Sequence, residues 1–369
     1  MKSKILRNDL EMCISNCYDA CERKASESIT KLKFNSNKLI VSCKGAFTFY
    51  QQEMVPTSVD SDCEFYLKTS TILEFVKHVG CEELILAYDE NKKVCMVSTV
   101  DKKSKIAFQT LNLEMLEETE NSFEVSFEIQ NPHEFVHKLI NASKFCSLYD
   151  YPLTGIHCKV NESTFEIKAT NGPAFYGTSI KKAETAEEEF YLPKKAPSIL
   201  KNIFSGSTLK TLSINSKCAL FESNNCKLKI YLEKSEKNSF PNQIIEWANK
   251  SPEAKVKVSN FELSKTLKFF NGIFSDDRAK FNINDSLVLE SSTNKSNTDV
   301  KNEIAAKETI AVEHCSGVAQ SMYSIKFFLE SLEALQSAWI ELDFINMKED
   351  YFICKITNDE TLVLLCPAI

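Results

Sequence analysis

Glu64-Phe65-Tyr66-Leu67 returns 125 residues later as Glu189-Phe190-Tyr191-Leu192. Each copy leads into an amphipathic stretch, Ile72 to Val79 and Ile199 to Phe204, and then into an apolar run of strand character, Leu84 to Tyr88 and Leu209 to Ile214. A fainter third copy begins at Met322-Tyr323-Ser324-Ile325. It continues through Phe327, Phe328, Leu329, Leu332 and Leu335 into two further runs, Trp339 to Phe344 and Tyr351 to Ile356. Solenoid units recur every few tens of residues. A period this long is a whole domain, so three domains are expected, at 1–120, 121–250 and 251–369. Each is large enough to bury its own core. The links between them are polar: Glu117 to Ser122, and Asn249-Lys250-Ser251-Pro252-Glu253 with its helix-stopping proline.

Within each repeat the periodicity changes from two to 3.6 and back. Val125, Phe127 and Ile129 alternate with polar residues, which predicts a strand. Asn131 and Pro132 then supply a cap and a first helical position, and Phe135, Val136, Leu139 and Ile140 form the apolar stripe. The same order appears at Ile5 and Asn8 with the stripe Leu10, Cys13, Ile14, Cys17 and Cys21. It appears again at Val256, Val258 and Asn260 with Phe261, Leu263, Leu267 and Phe270. Paired apolar runs follow, Ile29 to Phe34 with Leu39 to Cys43, Leu153 to Val160 with Phe165 to Ala169, and Lys280 to Ile283 with Leu287 to Leu289. They are joined by turns at Asn37, Asn161 and Asp285. The second helix and its closing strands complete the unit, with Val94 to Val97, Ile106 to Leu111, Cys218 to Glu222 and Leu228 to Leu232 among those strands. Each repeat reads as two β-α-β-β-β halves, an α+β architecture of two helices on antiparallel sheet. The Ser, Thr and Asn-rich segment Thr293 to Asp299 reads as a loop.

Hydrophobic residues make up 43% and charged residues 26% of the chain, a globular composition. No apolar run approaches the length of a membrane span, and the first residues lack a signal-peptide core, so a cytoplasmic location and no membrane partner are expected. Without an export signal the 14 cysteines read as reduced, buried residues rather than a disulfide framework. Cys13, Cys17 and Cys21 share a helix face, which could be a thiolate cluster but fits a core stripe better. A net charge of −7 argues against indiscriminate nucleic-acid binding while leaving local patches open.

Several strings, in order, resemble those of the bacterial DNA polymerase III β subunit family, the sliding clamps. Ala169-Thr170-Asn171-Gly172 is similar to the family's A-T-D-G segment, Leu192-Pro193-Lys194-Lys195 to its V-P-R-K segment, and Ser239-Phe240-Pro241-Asn242 to its G-R-F-P-D segment. The apolar tail Leu364-Leu365-Cys366-Pro367-Ala368-Ile369 is similar to the family's C-terminus. The resemblance runs the length of the chain. It implies a head-to-tail homodimer of three repeated DNA-clamp domains per copy, closing a six-domain ring around double-stranded DNA without sequence preference. It implies a processivity factor of DNA replication, with no catalytic activity and no cofactor. The implied partners are the DNA polymerase catalytic subunit, the clamp loader and other proteins carrying clamp-binding peptides.

By position in the family pattern, Ile106 and Phe108 match one side of the subunit contact and Ile273 and Phe274 the other. Peptides would dock on Leu153, Thr170, Gly172, Pro173, Phe175, Pro241, Ile245, Leu364, Leu365 and Pro367. The alternative is that these residues only pack a seam between the middle and last domains. The family's charged residues here are replaced by Asn171, Pro173, Ala174, Ile244, Ile245 and Ile369, which makes the expected pocket more apolar. Candidate phosphate contacts are Arg23, Lys24, Lys77, Lys138, Lys144, Lys194, Lys195, Lys201, Lys265, Lys268, Arg278 and Lys280. Their alternative reading is solvated helix faces.

One motif points elsewhere. His133-Glu134-Phe135-Val136-His137 matches H-E-x-x-H on an expected helix, where two histidines could hold zinc and Glu134 act as base in a metallopeptidase. The pattern has only three fixed positions, and His78, His157 and His314 stand at no supporting spacing. There is no phosphate loop or nucleophile elbow, and eight glycines leave little scope for one.

Overall fold

Strand β1 (Lys2–Leu6) enters helix α1 (Arg7–Ala20), and strands β2 (Ile29–Asn35), β3 (Lys38–Lys44) and β4 (Thr48–Met54) follow. The pattern then recurs. A two-residue β5 (Ser58–Val59) precedes β6 (Cys63–Lys68), α2 (Thr69–His78), β7 (Glu83–Asp89), β8 (Val94–Thr99) and β9 (Lys105–Gln109). The middle repeat supplies β10 (Val125–Glu128), α3 (Pro132–Lys144), β11 (Gly155–Val160), β12 (Thr164–Thr170) and β13 (Ala174–Lys181). Its second half is β14 (Glu188–Pro193), α4 (Ala196–Ile203), β15 (Thr211–Ile214), β16 (Cys218–Glu222) and β17 (Cys226–Tyr231). After a short α5 (Gln243–Ala248), the last repeat runs β18 (Ala254–Ser259), α6 (Asn260–Ile273), β19 (Arg278–Asn284), β20 (Leu287–Ser292) and β21 (Ala305–Ile310). It ends with β22 (Val312–Ser324), α7 (Ile325–Leu335), β23 (Trp339–Lys348), β24 (Tyr351–Thr357) and β25 (Thr361–Leu365). This computed structural model describes residues 1–369 except 23–27, 36, 112–121, 150–152, 182–186, 205–208, 234–239, 242, 275, 293–304, 349–350, 359 and 369. The segment Thr293 to Asp299 and most of the expected link at Glu117 to Ser122 therefore lie outside the described residues.

The strand that leads each half pairs not with its own three strands but with those of its sister half. β1 pairs with β7 and β6 with β2; β10 pairs with β15 and β14 with β11; β18 pairs with β23 and β22 with β19. Two halves thus interlock into one repeat. The register also corrects the alignment of the third copy. Lys31 faces Tyr66 and Thr30 faces Leu67, while Lys280 faces Met322 and Ala279 faces Tyr323. Met322-Tyr323 therefore stands where Tyr66-Leu67 stands, two residues from the position expected by eye. A backbone bond confirms the equivalence: Leu111 N donates to Tyr66 O, Glu233 N to Tyr191 O and Ala368 N to Met322 O, at 3.0, 3.2 and 2.7 Å.

The chain forms two compact units. One comprises Met1–Val136, Lys182–Glu188 and Lys195–Leu232; the other comprises His137–Lys181, Glu189–Lys194 and Glu233–Ile369. In the first, a five-stranded sheet has the order β5-β1-β7-β8-β9 and an eight-stranded sheet the order β10-β15-β16-β17-β4-β3-β2-β6. Leu10, Cys13, Ile14 and Cys17 are fully buried on α1, as a core stripe. The second unit holds a twelve-stranded sheet, β14-β11-β12-β13-β25-β24-β23-β18-β22-β19-β20-β21. Its long β22 changes partner midway, from β18 up to Gly317 to β19 beyond it. Gly317 sits at φ +80°, where a Cβ would come 1.9 Å from Glu253 O, so only glycine allows the switch.

Sequence periodicity placed Phe261 in the stripe of α6, but it is 70% exposed; Leu263, Leu267 and Phe270 bury the opposite face. Ser259, not Asn260, caps that helix, its Oγ accepting from Glu262 N. Asn260 instead donates to Leu332 O and Ser337 O.

Candidate functional site

An apolar face in the second unit gathers side chains that are far apart in sequence. Phe175, Tyr191, Phe240, Ala248, Ile353 and Leu364 make a buried floor. Over it lie the half-buried Ile244, Ile245 and Trp247 of α5, Met347 of β23, Tyr351 of β24, Leu362 of β25 and Cys366 beyond it. Strand pairing sets the floor, since Phe175 faces Leu364 across β13 and β25. The turn before β13 is locked by Thr170, whose Oγ1 donates to Ala174 O at 2.8 Å and accepts from Gly172 N at 3.1 Å. Gly172 adopts φ +92°, and Asn171 Oδ1 takes the Ala174 N–H. Pro173 O then accepts from Cys366 N at 2.8 Å, which ties the tail to the turn.

Of the ten residues expected at a peptide pocket, the structure brings Phe175, Ile245 and Leu364 into one cluster. Thr170, Gly172 and Pro173 shape the turn beside it. Leu365 is a neighbour of Leu364 on a strand, so it points to the opposite face, opposite Ala174 and Cys354, and belongs to the core there. Pro241 leads into α5, and its carbonyl accepts from Ile244 N. Pro367 is half-buried in the tail, and Leu153 is half-buried with its carbonyl bonded to Ser147 N. The sequence reading missed Tyr191, although it lies in the repeated phrase itself. It also missed Met347, Tyr351 and Ile353, for which no local signal exists.

Beneath this floor His157 is 4% exposed, with Nε2 2.9 Å from Glu189 Oε1. Its ring stacks on Phe240 at 4.9 Å and leans on Tyr191 at 5.0 Å. Burial holds its pKa below the ordinary 6.5, against the opposing pull of Glu189; Lys168 pushes it further down and Glu166 up. A histidine that charges more readily when unfolded stabilises the fold fully above its unfolded pKa, and that contribution is lost as pH falls through the folded pKa. Urea melts are expected to lose up to about 1.4 kcal/mol per pH unit below about pH 6.5. The loss should vanish in His157→Leu; an equal slope in both proteins would refute the assignment.

Each of the three sheets ends in two edge strands among the described residues, and two of these six bear on the expected subunit contact. β9 closes the five-stranded sheet and β21 the twelve-stranded one. On β9, Ile106 is half-buried while Phe108, 6% exposed, meets Phe75 edge-on at 6.3 Å. At the end of α6, which packs on β21, Ile273 is 49% exposed and Phe274 only 5%, edge-on to Phe270 at 5.8 Å. Of the four expected contact residues, Phe108 and Phe274 are thus core residues of their own units, and Ile273 is the one that faces outward.

The arrangement has close counterparts among solved structures. A DNA polymerase sliding clamp from Bacillus subtilis superposes with a TM-score of 0.87 at 15% identity, over 100% of this chain and 99% of that one. The DNA polymerase III β subunit from Thermotoga maritima gives 0.84 at 14%, over 100% and 99%. A Helicobacter pylori β clamp bound to a DNA ligase peptide gives 0.82 at 16%, over the full length of both chains. The fold is that of a DNA polymerase sliding clamp. No family model matches the sequence, and no curated protein matches it.

Within the clamp fold the candidate cations divide into two groups. Lys77 on α2, Lys201 on α4, and Lys265 and Lys268 on α6 are exposed and have no ion pair among the described residues. Most of the others are tied to neighbouring groups. Lys138, 8% exposed, bonds to Glu360 at 2.6 Å and to Ser179 O at 3.0 Å, so its charge is neutralised in place. Lys144 pairs with Glu333 at 3.1 Å, Lys195 pairs with Glu22, and Lys194 donates to Cys146 O at 2.9 Å. Arg278 and Lys280 stand on strand β19, not on a helix, and Arg278 makes two 2.8 Å bonds to Asp276. Arg23 and Lys24 lie outside the described residues.

The H-E-x-x-H motif has a different use in this fold. It occupies the start of α3, where Asn131 Oδ1 accepts from Glu134 N at 3.2 Å and Asn131 Nδ2 donates to Glu134 Oε2 at 3.0 Å, a reciprocal cap. The His137 ring nitrogens lie 3.2 and 2.9 Å from the side-chain amides of Asn141 and Gln336. Among the described residues no three His, Cys, Asp or Glu side chains are arranged to hold a metal. Asn131→Ala is expected to cost about 1 kcal/mol in chemical denaturation. His133→Ala should be neutral, and a chelator should leave the melting temperature unchanged. A destabilised His133→Ala that zinc restores would reverse this reading.

Proposed function

We propose that the chain is a non-catalytic DNA sliding clamp: two copies close head to tail around duplex DNA and carry polymerase and other partners on the α5 face. The observation that carries it is the order of edge pairing. β4, the last strand of a first half, pairs with β17, the last strand of the next repeat's second half. β13 pairs with β25 by the same rule. Continued once more, the rule sends β21 to the second half of a following repeat, whose edge strand is β9. That strand belongs to another copy. Repetition at a fixed rotation closes into a ring or extends as a filament. Sliding clamps are rings, and the fold likeness supports closure at two chains. The three domains proposed at 1–120, 121–250 and 251–369 follow the same repetition. Edge strands invite pairing, and joining β21 to β9 of the next copy covers that pair of edges.

A ring that retains DNA by encircling it needs few phosphate contacts, and the four exposed lysines without an ion pair among the described residues supply them against a net charge of −7. The docking face suits a short apolar peptide from the polymerase catalytic subunit, the clamp loader or another replication protein, and the ligase peptide on the Helicobacter pylori clamp supports that class of partner. A cytoplasmic setting follows from the role.

The test is topological. Protein loaded on a nicked circular plasmid should stay with the DNA through gel filtration and leave when the plasmid is cut once. Lys265→Glu with Lys268→Glu should lower retention and flatten its salt dependence. Equal retention on circular and linear DNA would defeat the proposal.

A further inference from the structure

Helix α6 carries an outer face that its counterparts in the other repeats lack. Its buried side, Leu263, Leu267 and Phe270, has the same spacing as Leu10, Ile14 and Cys17 of α1 and as Phe135, Leu139 and Ala142 of α3. On that alignment Phe261 stands where Asn8 and His133 stand, and all three are exposed. Lys265 takes the place of Met12 and His137, and Lys268 that of Ser15 and Ile140. Phe269 replaces Asn16 and Asn141, which are buried. The fold thus accepts a polar side chain at the position of Phe261, and that ring, 70% exposed, lies outside the core.

A single exposed apolar residue is ordinary. Here rings and charges share one side of a helix. Phe261, Lys265, Lys268 and Phe269 follow one another at steps of four, three and one residues. The two phenylalanines are about 12 Å apart along the axis, with both lysines between them. Phe269, 48% exposed, is braced by the Phe270 ring at 5.9 Å. Both lysines are exposed and have no ion pair among the described residues. Glu262, the acid of this helix, is turned about 100° round the axis from Phe261.

The occupant follows from that alternation. A protein interface keeps lysine out of its desolvated centre, and Lys265 stands between the two rings. In a duplex each base face is covered by the next base, so an exposed ring has nothing to stack on. A single strand offers open base faces and phosphates in turn. We propose that α6 binds single-stranded DNA, with Phe261 stacking on an unpaired base and Lys265 and Lys268 holding the flanking phosphates. The choice of DNA rests on the sliding-clamp function. The site gives the protein a hold on the unpaired strand beside a duplex, which encirclement alone does not provide.

The experiment measures fluorescence polarisation of labelled oligothymidylate, and of a linear duplex of equal length, with the full-length chain at low salt. Phe261→Leu, which keeps an apolar side chain but removes the ring, should weaken oligothymidylate binding about tenfold. Phe261→Tyr should keep it within about twofold, and all three proteins should bind the duplex alike. Lys265→Gln with Lys268→Gln should weaken both ligands and flatten their salt dependence. No binding of oligothymidylate by the wild type, an unchanged affinity in Phe261→Leu, or an equal loss on the duplex would overturn the proposal. Because Phe261 is exposed and both replacements are conservative, the variants retain the fold, which a thermal melt checks. Should these ratios hold in a protein that is not retained on circular DNA, encirclement fails and the stacking site stands.

Discussion

Ile273→Asp is expected to convert a two-chain particle into single chains. Ile273 is half-exposed at the end of α6, beside the open edge of β21, where the pairing rule places the second copy. A carboxylate buried there without a partner costs about 3–5 kcal/mol, which weakens association by about a hundredfold to several thousandfold. Size-exclusion chromatography with light scattering at micromolar concentration reads the change directly. An unchanged two-chain mass would remove Ile273 from the contact. Phe274→Asp is a different experiment. That ring is 5% exposed and packed edge-on against Phe270, so the substitution attacks the core of the second unit and should lower its unfolding temperature sharply. Comparing the two separates an assembly defect from a folding defect.

The second large effect concerns the docking face. Ile245→Asp with Trp247→Ala is expected to abolish binding of a fluorescein-labelled peptide from the partner polymerase while leaving the assembly intact. Both side chains belong to α5 and lie half-buried over Phe175, Tyr191, Phe240 and Leu364. Loss of a central anchor costs about 2 kcal/mol or more, or roughly thirtyfold in affinity for each such residue. Removal of Cys366 to Ile369 should have the same outcome by another route. It deletes the Cys366 N–H bond to Pro173 O and the Ala368 N–H bond to Met322 O, which hold the tail against the turn. Fluorescence polarisation measures both. Binding within threefold of wild type in the α5 variant would move the docking site elsewhere.

Much of the fold was legible because it repeats. Phe135, Val136 and Leu139 mark α3 by their spacing, and Asn131 marks its start; both hold in the structure because local rules and tertiary packing agree there. Phe261 fails for the opposite reason. It has the character of a core residue, but the buried face of α6 is fixed by Leu263, Leu267 and Phe270, which leaves Phe261 on the far side. The helix α5 left no mark because its six residues are too few to show a helical period. The cations show the same limit. Lys138 and Lys265 are equivalent letters in the sequence, yet one is buried against Glu360 and the other stands in solvent.

The sequence by itself determined the number of repeats, the order of strands and helices in each, and the apolar character of the tail. These are local or periodic properties, written in neighbouring residues. Only the tertiary structure decided which strand edges meet. β4 reaches β17 and β13 reaches β25 across long separations, and no residue pattern announces such a partner. The docking face is a consequence of that pairing, because Phe175 meets Leu364 across β13 and β25. Hydrogen bonds between backbone groups carry no residue code, so the edges that remain open become visible only once the sheets are assembled.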